Sequence, residues 1–309
     1  MTASTHHSQK IPLGASFLAI AAGATWSFGV PVARSAQHAD AWQYLIWRSI
    51  GVIMVIELLS AVRRKPLRLP QAFTSGRTML IATAGLLVAS LGFVYAVKNT
   101  TAANASFLAS VTPLAAVVLA RFVLGERMTG VTIAAIGLAL LGLGVMVAGD
   151  LQAGNMKGNV AALLSSCGFA VYAVCVRSNP SHDWAPVLPG YAFLMVGLCA
   201  TVTLANGKPL VPPVGDVLLA LFHGCILIVV GTLLFNASAT KVPAVAMAVF
   251  AQMEMVLAPL WVFWKFGEQP KGTTLLGGAL IFGAVIGKAV LDANEIGFKR
   301  IPESLPSSA

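Results

Sequence analysis

Glu254 is the side chain with the most to explain. It lies near the middle of an apolar run, residues 244–264, about ten residues from either end. At 1.5 Å of rise per residue, that is roughly 15 Å from each edge of the run. A carboxylate so placed in hydrocarbon costs several kcal/mol unless it is paired, hydrated or protonated. Two chemistries suit it. It can face a cavity, where it meets an ammonium group or carries a proton, or it can be a carboxyl hydrogen-bonded to a neighbouring helix. Arg48, about six residues inside the run 42–62, has two options as well. It can grip a carboxylate through parallel N–H donors, or lay its stem along apolar surface with its head in water. Glu57 is nine residues further on and falls on the opposite face at 100° per residue, so the two are not one site. Glu57 and Lys288 point towards the same surface and can snorkel or pair as a latch.

Thr112-Pro113 is a second candidate. Proline removes one backbone hydrogen bond and exposes a carbonyl, and broken backbone inside a membrane bundle can line a cavity; a simple packing kink is the other reading. Asn104 points within roughly 80° of Thr112 on the same helix, which makes it a further polar contact. Trp26, Tyr95 and Tyr172 are candidate aromatic walls, although Trp and Tyr also concentrate at membrane interfaces. His223 is either a proton-handling group or a core histidine with one ordinary hydrogen bond.

The elements that must position these residues are ten apolar runs: residues 13–32, 42–62, 78–97, 102–123, 131–148, 158–176, 188–204, 217–237, 244–264 and 273–291. Of 309 residues, 57% are apolar and 10% charged, with a mean hydropathy of +0.83. A water-soluble fold could not hide that much apolar surface behind so few charges. Runs of this length need helices in lipid, and the alternation of a membrane barrel is absent. The first run is too long for a signal peptide and holds Trp26 and Pro31, so it reads as a retained helix. Cys167, Cys175, Cys199 and Cys225 lie inside apolar runs without metal or disulfide spacing and read as small buried hydrophobes.

With the N-terminus inside, twelve Lys and Arg fall on the inner side and six on the outer, which places both ends in the cytoplasm. The chain also repeats. A shift of 142 residues brings Gly125-Glu126 onto Gly267-Glu268, Gly130 onto Gly272, Ala102 onto Ala244 and Ala109 onto Ala251. Arg34-Ser35 and Arg177-Ser178 stand at similar distances from Gly14 and Gly158. The organisation expected is a tail over 1–12, five helices over 13–150, five over 151–291 and a second tail over 292–309. Since five is odd, the halves enter the membrane from opposite sides, the plan of many secondary transporters. Gly137, Gly142 and Gly144 in the fifth run and Gly283 and Gly287 in the tenth are small residues suited to close packing of those two helices. A tandem repeat supplies in one chain what a half-size protein gains by dimerising, so a monomer is expected.

Tyr95-Ala96, Thr101-Ala102, Pro113 and Leu124-Gly125-Glu126-Arg127 resemble the third and fourth helices of EamA-type proteins of the drug/metabolite transporter superfamily. Asn236-Ala237, Pro243-Ala244, Glu254 and Gly267-Glu268 repeat the pattern. The family often has Glu-Pro in its ninth helix; here Met255 follows Glu254 and Pro259 comes one turn later, so a kink would move with it. The resemblance implies an all-helical membrane protein of ten helices in two inverted repeats, in a bacterial inner membrane. It also implies a central cavity and alternating access without ATP. Its characterised relatives export amino acids and related metabolites, as the YddG type does. Cationic drugs, sugars or nucleotides are the alternative cargo.

Other function classes fit less well. His-Glu-x-x-His, Gly-x-Ser-x-Gly and a phosphate-binding Gly-x-x-x-x-Gly-Lys loop are absent, against a membrane-embedded enzyme or an ATP-driven pump. No cofactor, metal or nucleic-acid partner is expected; the partners are membrane lipid and a small-molecule substrate, with proton coupling open. Glu254→Gln is expected to abolish transport or its pH dependence while leaving expression intact; transport unchanged across pH in that variant would remove Glu254 from the site.

Overall fold

Backbone amides and carbonyls in lipid must satisfy one another, which a helix does within its own segment. Every regular element among the described residues is helical. The computed structural model describes residues 13–123, 130–150, 156–179, 182–239 and 253–298. In order these form α1 (Leu13–Ser27), α2 (Gly29–Ser35), α3 (Ala41–Val62), α4 (Arg68–Thr74), α5 (Arg77–Asn99), α6 (Ala102–Ala109) and α7 (Thr112–Val123). They continue with α8 (Gly130–Asp150), α9 (Met156–Ser178), α10 (Val187–Ala205), α11 (Val214–Phe222), a π-helical turn (His223–Ile228), α12 (Val229–Ala239), α13 (Met253–Phe266) and α14 (Gly272–Phe298). Among the described residues, six stretches are long and apolar enough to cross a membrane: Ala41–Val62, Arg77–Asn99, Ala102–Val123, Met156–Val176, Val187–Ala205 and Val214–Phe235. Shorter apolar helices occupy Gly130–Val145, Val256–Phe266 and Gly272–Gly287.

Among the described residues, two of the apolar runs are split just ahead of a proline, and a third, 217–237, is interrupted by the π-helical turn. Pro113 cannot donate to the Ala109 carbonyl four residues back, and the helix divides there into α6 and α7. Pro31 stands in the same relation to Ser27, where α1 gives way to α2. Both prolines sit in the first turn of the second piece, where a missing N–H is tolerated. Pro259 behaves differently: α13 runs through it without a break. The π-helical turn has no comparable mark in the sequence.

The helix α4 was not expected from the sequence. It lies in the basic segment after α3 and is held by Glu57, whose carboxylate accepts from the backbone N–H of Arg68 (3.0–3.1 Å) and Leu69 (2.7 Å). Glu57 is therefore engaged on its own side of the bundle, and the Lys288 side chain lies outside the described residues. Arg68 also pairs with Asp183.

Close crossings hold the bundle together. A Cβ built on Gly92 of α5 would fall 2.5 Å from the Ala161 carbonyl of α9, and Gly85 and Gly168 meet backbone to backbone in the same crossing. Ser165 adds a hydrogen bond to the Ala89 carbonyl at 2.7 Å. The fifth and tenth apolar runs do pack, as α8 against α14, but through other glycines than expected. Gly142 faces the Gly277 carbonyl and Ile281, whereas Cβ atoms on Gly137, Gly144, Gly283 or Gly287 would meet nothing within 4 Å. Small residues admit a close crossing only where the second helix lies over them. Cys175 and Cys199 are buried and Cys225 partly so, as expected of small hydrophobes, but Cys167 is exposed on the surface of α9. Large apolar side chains cover that outer surface, among them Phe17, Leu58, Phe122, Leu141, Leu164, Leu218 and Trp264. Water would not support such a surface and lipid does.

Gly92→Val is expected to lower stability by about 1–3 kcal/mol, since its added atoms meet the Ala161 carbonyl and the backbone N and Cβ of Ser165, none of which can swing aside. Thermal unfolding in detergent checks this: a clear drop in midpoint is expected, and no change would mean that the crossing is looser than described.

Candidate functional site

Polar side chains converge where α2, α3, α5 and the π-helical turn meet. Arg48 on α3 is 4% exposed and its Nη2 donates to Ser90 Oγ of α5, while its Nε is buried without a partner. Among the described residues no carboxylate lies within ion-pair distance of Arg48. One turn earlier on α3, Tyr44 is fully buried, with its hydroxyl 2.7 Å from His223 Nδ1. His223 opens the π-helical turn, and the other edge of its ring packs on Gly29, where any Cβ would strike Nε2. The next residue, Gly224, lies against the Arg48 carbonyl so closely that a side chain could not be accommodated. The extra residue of a π turn redirects a helix locally and is frequent at functional sites. Here it brings His223 to Tyr44 and Gly224 to the backbone of Arg48.

A second polar region forms the mouth of the bundle at the ends of α2, α5 and α13. Glu268, just after α13, accepts from the Ala102 N–H of α6 at 2.6 Å and faces Arg34 Nη2 at 3.3–3.5 Å. Arg34 also donates to the Thr100 carbonyl. Lys98 donates to the carbonyls of Ala36 and Ala39 and lies 5.1 Å from the centre of the Tyr44 ring. Asp216, at the start of α11, accepts from the N–H groups of His38 and Ala39 at 2.8 and 2.6 Å, fixing the same loop from the other side. Asp40 caps α3 through a reciprocal pair with Gln43 and binds Lys208 at 2.8 Å. Burial alone would raise its carboxyl, but the Lys208 ammonium and the amides of Gln43 and Trp42 outweigh that and hold it below the usual carboxylate value.

Two cavities open on this mouth. One, of about 520 Å³, is lined by Arg34, Asp40, Trp42, Tyr95, Lys98 and Lys208, among others. The other, of about 460 Å³, is lined by Arg34, Lys98, Asn99, Thr100, Thr101 and Glu268. Of the eight binding residues expected from the sequence, only Tyr95 lines either one. It packs against Trp42 with ring centres 5.9 Å apart.

Most of the other candidates are occupied elsewhere. Asn104 is fully buried, accepts from Thr274 Oγ1 at 2.8 Å and donates to Thr100 Oγ1 at 3.4 Å, joining α6 to α14. Thr112 donates to the Ala109 carbonyl at 2.7 Å, and Ser166 Oγ stands 3.2 Å from the same oxygen. That is the carbonyl Pro113 freed, and the Thr112 hydroxyl covers it; the single hydrogen of Ser166 has a closer acceptor in the Leu108 carbonyl at 2.9 Å. Trp26 packs its indole on Gly231 and Phe235, between α1 and α12. Tyr172 meets Phe169 edge-on, in the cluster with Met79 and Val187. Glu254 is half-buried in the first turn of α13, and residues 240–252 on its N-terminal side lie outside the described set. Arg48 and His223 alone of the eight share one cluster. No group of His, Cys, Asp and Glu among the described residues could hold a metal ion.

The sequence reading missed Arg34, Lys98 and Tyr44 as site residues. Arg34 and Glu268 carried a signal, since Gly267-Glu268 repeats Gly125-Glu126 at 142 residues and Arg34-Ser35 recurs as Arg177-Ser178 at 143. Tyr44 and Lys98 carried none.

Comparison with known proteins agrees with this architecture. The model of the EamA-like transporter family matches the chain twice, over residues 13–148 and 156–288. No curated protein sequence matches. A solved crystal structure with 21% identity superposes with a TM-score of 0.63, over 91% of this chain and 98% of the other. Tyr44→Phe is expected to cost about 1–3 kcal/mol, the penalty of leaving a buried imidazole nitrogen without its partner. A several-degree fall in the melting midpoint checks it; an unchanged midpoint would mean that His223 finds another donor or acceptor.

Proposed function

The chain belongs to the EamA-like transporter family, and from that premise we propose that it exports amino acids and related small metabolites across a bacterial inner membrane. The mechanism is alternating access without ATP, as in YddG-type exporters. Ten helices form two inverted halves, 13–150 and 151–291, with both termini in the cytoplasm. The two halves rock around a site near the midplane.

One observation carries the substrate class. Arg48 is a cation buried in an apolar bundle with one hydroxyl for a partner and an unused Nε donor. An unpaired buried charge is costly, and intramembrane ionisable groups mark substrate pathways. A carboxylate is the ligand that would complete the guanidinium with two parallel hydrogen bonds. Glu254 supplies the opposite charge for an ammonium group, or carries the proton if export is coupled to one. The splits at Ser27–Gly29 and Ser110–Val111 and the π-helical turn offer points where helices can bend. Substrate must stabilise the switching state more than the open ones, which a carboxylate bridging Arg48 to another helix would do.

The test is efflux from liposomes preloaded with labelled amino acids, with and without a pH gradient. Saturable loss of a subset is expected, and Arg48→Gln should slow it roughly tenfold or more, the equivalent of one lost charge-assisted hydrogen bond. Folded protein that releases no amino acid under either condition would remove this reading and turn attention to sugars, nucleotides and cationic drugs.

A further inference from the structure

We infer that the mouth between α2, α5 and α13 is a second binding site, selective for small carboxylates, in which Glu268 is a built-in competitor for Arg34. The inference builds on the transporter reading, since it gives the substrate's carboxylate a station apart from Arg48.

The charge balance comes first. The cavity of about 460 Å³ is lined by two cations, Arg34 and Lys98, one anion, Glu268, and the neutral polar residues Asn99, Thr100 and Thr101. Its net charge is one positive, which suits a monoanion. Its size falls within the range of small-molecule sites.

The donors come next. Arg34 has five N–H groups in a fixed fork. Its Nη2 serves the Thr100 carbonyl and Glu268, and its Nε is buried with no partner. Lys98 spends two of three donors on the Ala36 and Ala39 carbonyls. The site therefore has donors left over after its internal contacts are made.

Glu268 is held unequally. Its 2.6 Å bond to the Ala102 N–H is short, whereas its 3.3–3.5 Å separation from Arg34 exceeds the 2.7–2.9 Å usual for a strong charge-assisted bond. A second carboxylate can take Arg34 while Glu268 stays on the α6 backbone. The adjoining cavity of about 520 Å³ shares Arg34, Lys98 and Asn99 and adds Trp42 and Tyr95 as a wall for the rest of the ligand.

The test uses full-length protein in lipid nanodiscs, titrated with acetate against chloride at constant ionic strength and followed by tryptophan emission. Trp42→Phe identifies the reporter. Acetate is expected to give a saturable change that chloride does not, carried by Trp42. Arg34→Gln should weaken it roughly tenfold, and Glu268→Gln should tighten it roughly threefold or more by removing the competing charge while keeping an oxygen on Ala102. Opposite signs are what a merely structural role cannot give. Equal responses to acetate and chloride, no saturable response in folded protein, or weaker binding in both variants would each overturn the inference. An acetate response carried by Trp42, together with no amino-acid efflux from folded protein, would fail the transport reading alone.

Discussion

Everything in this molecule follows from one constraint: a polar group surrounded by lipid must find its partner inside the chain. Helices answer it for the regular backbone. The informative places are those where the helix fails, because a side chain must then step in. Pro113 frees the Ala109 carbonyl, and Thr112 covers it. Ser27, at the other proline split, donates to Ala24 and accepts from the Trp261 indole. Asp216 serves two amides of the loop before α3, and Glu57 serves two at the start of α4. Arg48 breaks the pattern, with a single hydroxyl for a buried guanidinium.

The same constraint ties the two matched stretches of the chain together. Glu268 reaches from the second into the first to cap α6 and face Arg34. Lys265 donates to Ser35, Thr274 to Asn104, and Trp261 stacks on Phe28. Of these contacts the Arg34–Glu268 pair lies at the mouth, whereas α5 with α9 and α8 with α14 meet through close glycine crossings. Small residues give rigid seams, while hydrogen bonds near a cavity can be exchanged for bonds to a ligand. A transporter needs both kinds of contact.

Long apolar runs, their helical form and the duplication were legible in the sequence because they depend on composition and period, which a chain displays openly. Pro113 marked its split for the same local reason. The positions of individual polar side chains were far less legible. Asn104 and Thr112 looked like cavity contacts; Thr112 bonds locally to the Ala109 carbonyl, whereas Asn104 bonds across to Thr274, which is a fact of tertiary packing. Trp26 and Tyr172 turned out to fill gaps between helices. Tyr44 and Lys98 gave no sign of themselves, because a tyrosine in an apolar run and a lysine at its end are ordinary there. The π-helical turn, which sets His223 beside Tyr44, has no periodic signature to read.

The central claim is that Arg48, which has only the Ser90 hydroxyl and no carboxylate beside it among the described residues, finds its charged partner in the substrate. The most direct measurement is the nitrogen-15 resonance of its guanidinium Nε in nanodiscs, identified by its loss in Arg48→Lys. If the claim holds, adding a transported amino acid shifts that resonance saturably, and an equal concentration of the corresponding amine without its carboxylate leaves it in place. A resonance that stays fixed through a titration that saturates transport would contradict it.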